Sequence, residues 1–277
     1  MSHFSIEFFP AKTEVGAEKL RDVARRLGAI SPEYFSVTYG AGGTTRDRTL
    51  GAVRDVQALG YAVAPHLSCV GDSKAEIAEL LTTYREMGIK HLVALRGDLP
   101  LDVVARSKEL PYAADLVHFI REHSGDHFHI EVAAYPECHP QAACLADDVR
   151  HFVAKANAGA NSAITQYFFN ADCYFHFVDR VRAAGSDIAI IPGIMPITNF
   201  KNLVRFSDAC GAEVPRWIRQ QIASYGDDSA SIIAFGEEVI TRLSQQLLDG
   251  GAPGLHFYSM NQAEPTLALW RNLGLPT

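Results

Sequence analysis

The chain has 277 residues, 48% of them hydrophobic and 21% charged, with a formal net charge of −7. This is the composition of a soluble globular protein with room for a sizeable core, as one large domain or two small ones. The acidic balance argues against a nucleic-acid binder dominated by phosphate contacts, and no apolar run is long enough to span a membrane.

The N-terminus passes from "MSH" directly into "FSIEFFP", leaving no room for a signal peptide, so a cytoplasmic location is expected. The segment 4–9 reads as a strand ended by Pro10. Alternation puts Phe4, Ile6 and Phe8 on one face and Ser5, Glu7 and Phe9 on the other. A carboxylate beside Phe8 and Phe9 is expected to lose water, which raises its pKa and favours the protonated acid. The plainer alternative is a strand-end Glu paired with an Arg or exposed to water.

Short apolar strands then alternate with amphipathic helical segments. Further strands are predicted at 34–40, 62–69, 91–97, 129–135, 162–169, 188–194 and 255–260. In "AEKLRDVARRLGAI", Leu20, Val23, Ala24 and Leu27 form a helical stripe. "SKAEIAELLTTYREMG" has Ser73 as a candidate N-cap and Gly88 as its stop. Eight strands with intervening helices predict a closed (β/α)8 barrel of the α/β class. A doubly wound open sheet is the rival, but its G-x-G-x-x-G fingerprint is missing. The stretch 215–251 reads as one short and one long helix inserted before the eighth strand.

In such a barrel the chemistry lies at the C-terminal strand ends. Those ends carry Glu7, Thr38 and Tyr39, His66 and Ser68, Arg96 and Asp98, Tyr135, Glu137 and His139, Thr165 and Gln166, and Tyr258. "GAGGTT" after the second strand can cradle an anion or simply make a tight turn. Arg150, His151 and Lys155 fall on the helix after the fifth strand, where Lys155 can reach a diphosphate. His118, His123, His127 and His129 precede or open the fifth strand, on the wrong side for catalysis, and read as a solvated segment rather than a metal site. The five cysteines, Cys69, Cys138, Cys144, Cys173 and Cys210, include no C-x-x-C pair, which suggests reduced thiols. Cys69 and His66 face opposite ways on one strand, which disfavours a Cys–His nucleophile. An acid, an amide and the aromatics Tyr135, Phe168, Phe169 and Phe200 suit a planar cofactor with a planar substrate.

In order along the chain, "SIEFFP", "FSVTYGAGGTTRDRT", "APHLSC", "HLVALRGDLP", "AAYPECHP", "AGANSAITQYFF", "IIPGIMPITNF" and "HFYSMNQAE" resemble the motifs of methylenetetrahydrofolate reductases. The resemblance covers nearly the whole chain and matches the bacterial type without an appended regulatory domain. It implies one FAD-binding catalytic barrel over 1–277. Non-covalent FAD would carry a hydride from NADH or NADPH to 5,10-methylenetetrahydrofolate, by ping-pong kinetics, giving 5-methyltetrahydrofolate for methionine synthesis. The lack of a regulatory domain points to NADH, and relatives suggest a homo-oligomer with no nucleic-acid or membrane partner.

By the same resemblance Glu7 is the general acid, and Asp98 tunes the flavin and steadies the folate cation. Gln166 and Phe200 touch folate and nicotinamide in turn. Thr38, Tyr39, Ala41, His66, Arg96, Gly97, Asp98, Tyr112, Ala113, Tyr135, His139, Asp148, His151 and Lys155 line the FAD. No metal is implied. The family often has Asn-Arg where this chain has Asn261-Gln262, so the grip on the folate tail loses a charge at Gln262. A catalytically restricted flavin- or folate-binding subunit of a larger complex is the alternative. A barrel lyase ranks last, because no strand-end Lys suits a Schiff base.

Overall fold

A computed structural model describes residues 3–39, 43–97 and 109–276, with the side chains of 43–45 excepted. Asp98 and Ala41 lie outside the described residues, as do Gly40 and Gly42 of the glycine-rich "GAGGTT" turn.

The elements alternate as the sequence predicts: β1 (His3–Phe8), α1 (Glu14–Gly28), β2 (Tyr34–Val37), α2 (Gly43–Ala58), β3 (Val63–Ser68), α3 (Lys74–Glu86), β4 (His91–Leu95), α4 (Ala113–Ser124), β5 (His129–Ala134), α5 (Leu145–Asn157), β6 (Ser162–Thr165) and α6 (Ala171–Ala183). The chain then runs through β7 (Ala189–Ile191), β8 (Gly193–Ile194), α7 (Phe200–Cys210), α8 (Arg216–Ser224), α9 (Ser229–Asp249), β9 (Gly254–Tyr258) and α10 (Ala263–Asn272). All the pairings are parallel, in the order β7-β6-β5-β4-β3-β2-β1-β9-β8. The predicted seventh strand is split at Pro192, which has no amide hydrogen to donate. Its first piece pairs with β6 and its second with β9, so this one run closes the (β/α)8 barrel. The extra helices α8 and α9 precede the last strand, as expected.

Local signals account for the helices. Thr13 caps α1 through Gly16 N, and the stripe Leu20, Ala24, Leu27 is buried. Ser73 caps α3 in a capping box with Glu76, and Gly88 stops it at φ +76°. The main core lies between strands and helices, where Ile6, Phe8, Phe35, Val37 and Leu67 meet the helical stripes.

Inside the barrel the pattern changes. A small apolar cluster of Tyr34, Ala64, Val93 and Ile164 sits at its middle. Around it are buried polar residues, among them Ser5, Ser36, His66, Glu131, Ser162 and His256. Barrel interiors are usually filled by branched apolar side chains, and buried polar groups carry a cost unless partnered. The polar interior therefore separates into two clusters, one toward each mouth.

Candidate active site

Glu7 lies near the end of β1, on the inward face, because its neighbours Ile6 and Phe8 belong to the outer layer. Its Oε2 is 3.3 Å from His66 Nε2 on β3 and 3.7 Å from His256 Nε2 on β9. His256 is fully buried, and its Nδ1 is 2.7 Å from Ser5 Oγ. The opposite Nε2 is thereby aimed at Glu7. The ring nitrogens of His66 and His256 that face Glu7 have no better hydrogen-bond partner. Glu7 keeps 19% of its side chain accessible.

The sequence expectation of a protonated Glu7 needs correction. Burial does push this carboxyl up, but hydrogen bonding to His256 and His66, together with their charge, outweighs it and brings it to about 2. The apolar neighbours invoked from sequence point elsewhere: Phe8 packs outward on Phe35 at 4.9 Å, and Phe9 is 44% exposed. Glu7 is a carboxylate between two imidazoles. Burial in turn lowers the pKa of His256.

Two residues that the sequence reading missed hold the end of β1. Ser259 Oγ donates to the Glu7 carbonyl at 2.6 Å. Asn261 accepts from Phe9 N at 3.1 Å and donates to Phe9 O at 2.9 Å. Met260 and Asn261 have φ of +52° and +53°, the left-handed turn that swings this amide back onto β1. The Ser-Met-Asn run after the last strand was the available signal. Tyr258 donates to Thr165 O at 2.7 Å, over the β7/β8 run that lies between β6 and β9. Gly193 makes room for that ring: a Cβ there would overlap Thr165 O and stand 2.6 Å from the Tyr258 ring.

The ends of β2 to β5 carry the remaining predicted groups. Thr38 N donates to Phe8 O, and Tyr39 donates to Asp72 at 2.7 Å. Arg96 reaches Gln141 Oε1 at 2.7 Å, and Gly97 takes φ +88° against Ser68, where any side chain would collide. The Tyr135 ring meets His139 edge-on at 4.4 Å, and His139 N donates to Asp148 at 2.9 Å. Lys155 turns inward from α5 to Ala133 O, and burial lowers it to about 8. Gln166 follows β6, its side-chain oxygen accepting from Tyr167 N, and Gln166 and Tyr135 both line a small cavity at the mouth. Phe200 opens α7 behind its cap Asn199. Tyr112, His151 and Gln262 are exposed, and Ala113 is half-buried at the start of α4.

The family model for methylenetetrahydrofolate reductase matches residues 1–274. This chain belongs to that family. It is 40% identical over 272 residues to the 5,10-methylenetetrahydrofolate reductase of Pectobacterium carotovorum subsp. carotovorum, covering 98% of this chain and 90% of the relative. The Escherichia coli K12 enzyme of the same name is 38% identical with the same coverage. A probable methylenetetrahydrofolate reductase (NADH) from rice is 35% identical over 98% of this chain but only 48% of its own length. Among solved structures, a Clostridium thermocellum protein that binds two copies of 5-methyl-5,6,7,8-tetrahydrofolic acid superimposes with a TM-score of 0.71. It covers 98% of this chain and 94% of its own, but at 15% identity it shows the fold alone. Among the described residues no helix is long and apolar enough to cross a membrane.

In this family member the Glu7 cluster has a measurable acid signature. A carboxyl held at about 2, below its ordinary 4.5, contributes stability that is complete above pH 4.5 and lost as pH falls toward 2. A shift of that size corresponds to roughly 3 kcal/mol. In His256→Asn the amide still offers Ser5 a partner, but the imidazole is gone and burial is less opposed. Glu7 then titrates higher, and the acid loss shrinks. Urea unfolding of both proteins at pH 7 and pH 3 measures this; an equal loss in both would contradict the assignment.

Proposed function

We propose that this chain is an FAD-dependent 5,10-methylenetetrahydrofolate reductase that takes its hydride from NADH and works by a ping-pong sequence, with residues 1–277 acting as one catalytic barrel. The observation that carries the reading is Glu7 between His66 and His256 at the catalytic mouth of a barrel of this family. The name of the rice relative supports NADH over NADPH.

The donor set at the strand ends fits FAD. The left-handed Gly97 leaves backbone open to a close ligand. Arg96, His139 and Lys155 supply positive or donor groups suited to a diphosphate, and Tyr39 and Tyr135 supply flat surfaces. The His151 side chain, exposed on the same helix as Lys155, adds a donor at the rim. Thr38, Tyr112, Ala113 and Asp148 complete the proposed lining, with Ala41 and Asp98 contributing from outside the described residues. When bound, FAD supplies a carrier that accepts a hydride from one substrate and yields it to the other.

The residues of the chain handle the proton. Methylenetetrahydrofolate must gain a proton for its five-membered ring to open before it can accept a hydride. Glu7 supplies that proton, its carboxyl held in place by His66 and His256. Seating the flat pterin over the mouth covers the accessible part of Glu7 and removes its water. Burial is the strongest influence on this carboxyl and acts upward, so seating raises its pKa toward the acid form; the carboxyl takes its proton from water as the mouth closes and passes it to the substrate nitrogen. Gln166 and Phe200 hold the ring system of folate and then of nicotinamide. Asp98 steadies the cationic folate, and Gln262 meets its tail. Initial rates with both substrates varied test the sequence: parallel double-reciprocal lines are expected, and intersecting lines would overturn the ping-pong assignment.

A further inference from the structure

The second polar cluster lies at the opposite, N-terminal mouth. His91 and His129 are the first residues of β4 and β5 and stand side by side in register. Glu131, two residues along β5, shares their inward face. A ring nitrogen from each histidine and one carboxylate oxygen lie within 4.8 Å of one another. Glu131 is 2% exposed, and its Oε2 is buried without a hydrogen-bond partner, as is His91 Nδ1. Unpaired buried atoms of this kind are costly, and two of them in one cluster mark a missing partner.

We propose that this mouth is a site for a divalent transition-metal ion of the Zn2+ class, ligated by His91, His129 and Glu131. Two imidazoles and one carboxylate are a borderline donor set that favours such ions over Mg2+ or Ca2+. Bonds of about 2.0–2.2 Å to a tetrahedral ion put ligand atoms about 3.3–3.5 Å apart, so small side-chain rotations close the site. Two of the three ligands already have the hydrogen-bonding outer partner that metal ligands characteristically carry. His129 Nε2 is 2.8 Å from Ser162 Oγ, and Tyr34 donates to Glu131 Oε1. Tyr34 also stacks on His91 at 5.0 Å, which fixes that ring. Three protein donors leave a fourth position for water, toward the rim where His3 and Glu33 pair at 2.9 Å. The apolar middle of the barrel, Ala64, Val93 and Ile164, lies beyond this cluster.

The test uses the untagged, chelator-treated protein. Equilibrium dialysis against Zn2+ is expected to give one equivalent per chain. Glu131→Gln and His91→Gln are each expected to weaken binding at least tenfold. Metal-free thermal midpoints establish that the variants fold. If a variant does not fold, the wild-type Co2+ spectrum decides: ligand-field bands of a four- or five-coordinate nitrogen–oxygen site are expected, and a thiolate charge-transfer band would place the ion on cysteine instead. Less than one equivalent in the wild type, or unchanged affinity in both folded variants, would overturn the site and leave the cluster a proton-sharing network.

Discussion

Glu7→Gln is expected to slow reduction of methylenetetrahydrofolate by about 10²–10⁴-fold, the usual contribution of a positioned general acid. It is expected to leave reduction of the flavin by NADH within a factor of two or so. Glutamine keeps the shape of the side chain and can still hydrogen-bond the imidazoles, so the mouth of the barrel stays formed. What it loses is the ability to pass a proton. The nicotinamide half-reaction transfers a hydride and does not need that proton. Stopped-flow measurement of the two half-reactions separates the effects. Loss of both, with normal flavin content, would remove Glu7 from the proton role and make it a structural member of the binding site.

Gly193→Ala is expected to destabilise the protein by roughly 3 kcal/mol or more, the range of overpacked core positions that cannot relax. The added methyl would overlap Thr165 O, a backbone atom held in β6, and stand 2.6 Å from the Tyr258 ring. Gly193 N donates to Thr165 Oγ1 at 2.9 Å, so retreat breaks a buried bond where β8 closes the barrel. For a chain of this size the loss corresponds to a fall in thermal midpoint of roughly 6–12 °C. Calorimetry measures it. A midpoint within a degree of wild type would show that Thr165 and Tyr258 move aside freely, which would undermine the account of a rigid seam beside the catalytic mouth.

The fold was legible because its signals are local. Period-two alternation marked the strands, and stripes such as Leu20, Ala24 and Leu27, with caps such as Ser73, marked the helices. The strand-end rule directed attention to the C-terminal mouth, where Glu7 and His66 meet. What sequence could not supply was the set of partners that barrel closure brings together. Glu7 was visible in "SIEFFP", but its setting is made by His66 from β3 and His256 from β9. Phe8 and Phe9 alone predict an acid starved of water, yet alternation turns the first ring outward and the second is 44% exposed. His129 taught the same lesson at the other mouth. Read as part of a solvated histidine-rich segment, it opens β5 beside His91, a neighbour supplied by register rather than by spacing.

The most direct measurement is the visible spectrum of the purified protein under anaerobic conditions, recorded before and after NADH and again after methylenetetrahydrofolate. The account predicts an oxidised flavin spectrum that NADH bleaches and the folate restores. A protein that holds no flavin even after FAD is added, or a bleached flavin that the folate cannot reoxidise, would contradict it.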